Sequence, residues 1–113
     1  RVTLFIEPTI KDIKDSKELN VDCIEIHTGK FCKLVNEKKS YHKELNRIKA
    51  AVKLGNMLGL EVHAGHGLTY NSAKILYRVQ NIKEFNIGHF LIGESIFIGL
   101  ANTIRKFKRI LKS

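Results

Sequence analysis

Four times along this chain a short β-branched or aromatic run gives way to a stretch with helical period, and that alternation restricts the fold more than any other property. The runs are Val2 to Ile6, Val21 to Thr28, Leu60 to Ala64 and Phe85 to Ile87. Each is followed by a residue that breaks or turns the chain: Pro8, Gly29, Gly65 and Gly88. Strand then helix, repeated, predicts parallel strands joined by crossover helices. Two architectures accommodate the pattern: a small doubly wound sheet, and half of an eight-stranded βα barrel. The sequence opens directly in a strand-like run with no initiator methionine, which favours the half barrel. Four barrel strands alone would leave two open edges and one side of the core uncovered.

Between the runs, Ile10, Ile13 and residues 14–19 give a short helix closing before Asn20. Residues 30–40 carry Lys30, Lys33, Lys38 and Lys39 without a clear period, which predicts a long loop of the kind that often has a functional role. Leu45, Ile48, Val52 and Met57 with Leu58 recur at helical spacing, and Gly59 supplies the stop. Asn71 is placed to cap a helix covering Ala73, Ile75, Leu76 and Val79. From about Phe90 to Leu111 the chain reads as helix divided by Gly93 and Gly99. Ile104, Phe107 and Leu111 share one stripe there, and Arg105, Lys106, Lys108, Arg109 and Lys112 face elsewhere.

A chain of 113 residues makes one domain or one part of a larger one. Cys23 and Cys32 are too few for a disulfide scaffold and lack a C-x-x-C spacing, so a reducing cytoplasm is the expected compartment. No run approaches the ~18–20 apolar residues of a membrane span. The net charge of +9 admits nucleic acid, an anionic surface or phosphorylated substrates. Most of that charge is lysine interleaved with Asp12, Asp15, Glu18, Glu37 and Glu44, the composition of a solvated surface. A nucleic-acid platform would interleave exposed aromatics with the basic residues. Phe5, Phe85 and Phe97 lie in core-like patterns, leaving only Phe31 and Tyr41 available, so neither nucleic acid nor membrane is the expected partner.

His27, His63, His66 and His89 all fall at or near strand ends, and ligands of parallel α/β folds bind at the C-terminal ends of the strands. His66 lies between Gly65 and Gly67, where the backbone can approach a ligand and the imidazole projects freely. Because imidazole is the side chain that can give or take a proton near neutral pH, His66 is the leading acid–base candidate; a merely exposed turn histidine is the alternative. Gly88 and His89, after a strand and before a helix, can offer backbone N–H groups to an anion. Glu25 alternates into the interior of a barrel, where an acid needs a partner or a function. A structural salt bridge to a lysine across the barrel would also explain it. His63-x-x-His66 is too closely spaced and too poor in companion ligands for a metal site, and no serine triad or P-loop is present. No metal is expected.

These motifs carry a resemblance. Residues 1–6, Ile24-Glu25-Ile26-His27-Thr28-Gly29, Ala64-Gly65-His66-Gly67-Leu68-Thr69-Tyr70 and Asn86-Ile87-Gly88-His89 resemble, in order and separation, the C-terminal half of the pyridoxine 5′-phosphate synthase family. The resemblance covers essentially all of residues 1–113 and implies an α/β fold, strands five to eight of a TIM (β/α)8 barrel with their helices, as a single partial domain. It implies condensation of 1-deoxy-D-xylulose 5-phosphate with 3-amino-2-oxopropyl phosphate, closing a pyridine ring and releasing phosphate and water, with no metal or organic cofactor. It assigns proton donation to His66, transition-state stabilisation to Glu25, and binding of the amino-oxopropyl phosphate to Gly67, Gly88 and His89. The expected partners are the phosphorylated substrates, the N-terminal half of the same barrel and further copies in a homo-oligomer. The family commonly has asparagine where His63 stands. Its other catalytic histidine and glutamate belong to the N-terminal half, so this chain alone is expected to be inactive. A non-catalytic basic half barrel that binds a phosphorylated ligand or nucleic acid is the alternative.

Overall fold

A computed structural model describes residues 2–86, 105–106 and 108–111. Its elements run β1 (Thr3–Ile6), α1 (Ile10–Glu18), β2 (Cys23–His27), α2 (Gly29–Asn36), α3 (His42–Met57), β3 (Glu61–Gly65), α4 (Tyr70–Leu76) and β4 (Glu84–Asn86). All four strands are parallel and stand in the order β1-β2-β3-β4. A doubly wound sheet reverses its strand order at a switch point, whereas strands added always on the same side, with right-handed crossovers, put their helices on one face. The described strands therefore form a singly wound sheet, consistent with part of a βα barrel.

Alternation within the strands separates two faces. Ile24, Ile26, Val62 and Ala64 are fully buried and pack toward Ile13, Phe31, Ile48, Val52, Leu68 and Leu76 from the helices and loops. Phe5, Glu25 and His63 are register partners across the other face. That face is the barrel's inside in the expected architecture, and Phe5 on it is 72% exposed.

Phe5 and Phe31 exchange the environments expected for them. Residues 29–36 form a helix rather than the start of a long loop, and Phe31 within it is completely buried, edge-on to Tyr41 with ring centroids 5.5 Å apart. The physical reason is the spacing of Phe31, Cys32, Leu34 and Val35, an apolar stripe over one and a half turns that the interleaved lysines disguise. The Lys38 N–H bonds to the Val35 carbonyl and the Lys39 N–H to the Leu34 carbonyl, with Lys38 at φ +56°, so lysine occupies the left-handed C-terminal position usually held by glycine. In α3, Met57 is 73% exposed, and the buried stripe runs through Leu45, Ile48, Ala51, Val52 and Gly55.

The stop at Gly59 is as expected. Its φ is +80°, and the Leu60 N–H bonds to the Gly55 carbonyl to close the helix. Gly59→Ala should lower stability by roughly 1 kcal/mol, because a Cβ is strained in this conformation; a lowered urea midpoint measures it. The α4 cap differs from the expectation at Asn71. Thr69 caps the helix in a reciprocal capping box with Ser72, whose Oγ accepts the Thr69 N–H at 2.8 Å. Val79 lies beyond the helix yet is buried. Residues 105–106 and 108–111 are helical, and Lys106 holds its Nζ 4.1 Å from the Tyr70 ring centroid. Ile104 and Phe107, and the helix expected from Phe90 onward with Gly93 and Gly99, lie outside the described residues. Among the described residues no helix is long and apolar enough to cross a membrane.

Candidate active site

The C-terminal ends of β2 and β3 meet where His27 pairs in register with Gly65. Both strands turn sharply there. After Gly65 the backbone enters two consecutive left-handed residues, His66 at φ +83° and Gly67 at φ +78°. A histidine in that conformation is uncommon and persists only when its surroundings hold it. Thr28 does the holding. It is fully buried, its N–H donates to the Gly65 carbonyl at 2.8 Å, and its hydroxyl reaches the Gly65 and His66 carbonyls at 2.8 and 3.0 Å. A residue noted from sequence only as a strand end is thus the clamp that shapes the turn. Its signal was the polar hydroxyl closing an apolar run just before glycine.

The His66 side chain is exposed on one side and stacks on His27 on the other, with centroids 4.2 Å apart and planes 26° from parallel. The Gly29 N–H donates to His27 Nδ1 at 3.3 Å. Gly29 lies so close to both rings that a Cβ on it would come within 2.6 Å of His27 and 2.9 Å of His66. Glu7 reaches the same pair from the end of β1, its Oε1 3.9 Å from His27 Nδ1. Gly67 is exposed beside Cys32 of α2. Burial pushes the Cys32 thiol above its ordinary range, so it remains a protonated packing group rather than a nucleophile.

Glu25 is 8% exposed and shares with Phe5 and His63 the face of the sheet opposite Ile24 and Ile26. Its carboxylate lies directly over Gly65, where any Cβ would collide with it. The absence of a side chain on Gly65 therefore lets the carboxylate of Glu25, from the middle of β2, lie over the residue that precedes His66. Among the described residues Glu25 makes no ion pair with a lysine, so the salt bridge considered from sequence is not what places it there. His63 and His66 point to different partners: His63 bonds to Glu61 at 2.5 Å, while His66 stacks on His27. The structure thus joins His66, Gly67 and Glu25 in one region and adds His27 and Thr28. Asn86 pairs with Gly65, bringing β4 to the same end. Gly88 and His89 lie outside the described residues.

An exposed imidazole, a nearly buried carboxylate and an open glycine turn provide a proton carrier, a fixed negative charge and free backbone, the parts needed for acid–base chemistry on a small polar substrate. Several known proteins are similar to this chain. A pyridoxine 5′-phosphate synthase of Pelagibacter ubique (strain HTCC1062) is 56% identical over 110 residues, 97% of this chain and 46% of the relative. Proteins of the same name from Zymomonas mobilis and Trichlorobacter lovleyi are 49% and 45% identical, over 98% of this chain and 43% and 46% of theirs. The chain spans about half the length of the curated relatives it matches. The family model described as pyridoxal phosphate biosynthesis protein PdxJ matches residues 1–113, and with these relatives it shows that the chain belongs to the PdxJ family.

Proposed function

We propose that the protein carrying this chain is a pyridoxine 5′-phosphate synthase, and that the chain supplies strands five to eight of its barrel. The observation that supports this most is the Glu25 carboxylate lying over Gly65, the residue before His66, in a chain matched throughout by the family. The substrates are 1-deoxy-D-xylulose 5-phosphate and 3-amino-2-oxopropyl phosphate, and the protein works as a homo-oligomer in the cytoplasm. The ring-closing sequence needs an amine to add to a carbonyl, carbon–carbon closure, and loss of phosphate and water. His66, exposed at the mouth, delivers protons to departing oxygen. Glu25, fixed against Gly65, stabilises positive charge as it develops on the amine-derived nitrogen. Gly67, Gly88 and His89 hold the amino-oxopropyl phosphate through backbone N–H groups, and the lysine-rich surface concentrates both anions near the site. The exposed inner face around Phe5 is where the N-terminal half packs and contributes the remaining catalytic groups.

The test is direct. Incubating the intact protein with both substrates should yield pyridoxine 5′-phosphate with matching release of inorganic phosphate, whereas residues 1–113 alone should yield none. Binding of both substrates by the intact protein without phosphate release would overturn the assignment.

A further inference from the structure

We propose that Cys23, Glu61 and His63 form a binding site for a transition-metal dication, zinc by preference, at the end of the sheet opposite His66. The site follows from strand register. Cys23 and Glu61 are register partners at the first positions of β2 and β3, and His63 lies two residues along on the same face. The Cys23 thiol, one carboxylate oxygen of Glu61 and a ring nitrogen of His63 all lie within 4.8 Å of one another. Around a tetrahedral zinc ion with ordinary bond lengths such atoms stand roughly 3.5 Å apart, so small side-chain movements close the cage. The donor set selects the ion. Thiolate with imidazole and carboxylate suits zinc and its neighbours, while magnesium and calcium prefer oxygen alone.

The groups behind the three ligands favour the same reading. Thr3 Oγ1 lies 2.9 Å from the Cys23 sulfur, placed to donate to a thiolate. His63 Nε2 faces Glu61 at 2.5 Å, and its other nitrogen, Nδ1, faces Glu84 Oε2 at 3.6 Å. A carboxylate behind the second nitrogen is the usual device that orients a metal-bound histidine. Cys23 is completely buried, and the His63 and Glu61 side chains are 12% and 23% exposed, so the ion would be shielded but reachable. Lys83 Nζ stands 3.9 Å from Glu61 Oε1, on a side chain 71% exposed that can swing away. The ion would tie β2 to β3 at the N-terminal ends of the two strands. It takes no part in the chemistry at His66, and the proposal stands or falls independently of the assigned reaction.

Cobalt(II) titration of the intact protein under reducing conditions is the experiment. Stoichiometric binding with a thiolate-to-cobalt charge-transfer absorption, displaced by zinc and accompanied by a raised thermal midpoint, is the expected result. Cys23→Ser should abolish that absorption and Cys32→Ser should leave it intact. Glu84→Gln, a change at an exposed side chain that does not threaten folding, should weaken binding by about tenfold. Absence of the charge-transfer band in the unmodified protein, or its persistence in Cys23→Ser, would overturn the site.

Discussion

Replacing His66 by Asn in the intact protein is expected to lower kcat by about 10²–10⁴-fold, the usual contribution of a positioned proton carrier, with a much smaller change in KM for the phosphorylated substrates. Asparagine is the informative replacement because it tolerates the left-handed backbone that His66 adopts at φ +83°. The turn, the Thr28 hydrogen bonds and the Gly67 backbone should therefore survive while the titrating ring is lost. Steady-state kinetics separate the outcomes. A variant with near-normal turnover would remove His66 from the mechanism, and a rise in KM alone would make it a binding group.

Phe31→Ala should destabilise the fold by about 3–5 kcal/mol, the cost of emptying a fully buried aromatic site. Against a total stability of roughly 5–15 kcal/mol, that is a large share. The ring packs edge-on to Tyr41 and belongs to the core cluster with Ile26, Cys32 and Leu68. Because α2 also carries Cys32 beneath Gly67, loosening it disturbs the floor of the candidate site as well as the core. Urea denaturation reads the change. A loss below about 1 kcal/mol would mean that residues 29–36 contribute little to the core, as the loop expected from sequence would have implied.

Phe31 and Phe5 show why part of the fold was not legible beforehand. The apolar period of residues 29–36 is short and diluted by Lys30 and Lys33, so local pattern alone does not separate helix from loop. Phe5 sits in a run that alternation marks as strand, but alternation cannot say which face will be covered. Its exposure reflects its place on β1, an edge strand of the described sheet. The caps divide in the same way. Gly59 was readable because left-handed C-termini favour glycine, whereas Asn71 lost to Thr69 because Ser72, three residues after Thr69, completes a reciprocal capping box.

At the site, the glycine-flanked His66 and the inward Glu25 could be named from sequence, since both stand out against their immediate neighbours. The position of the Glu25 carboxylate over Gly65, the His27 stack and the Thr28 clamp could not, because each depends on how β2 and β3 pair. The same holds for Cys23, Glu61 and His63, whose only visible metal pattern, His63-x-x-His66, the structure pulls apart.

The sequence by itself determined the alternation of strand and helix, the glycine stop of α3 and the identity of the family motifs, because periodicity and backbone preference act over a few neighbouring residues. Only the tertiary structure decided which faces are buried and which distant side chains meet. Those depend on parallel register, a long-range pairing that aligns residues far apart in the chain through backbone hydrogen bonds indifferent to side-chain identity.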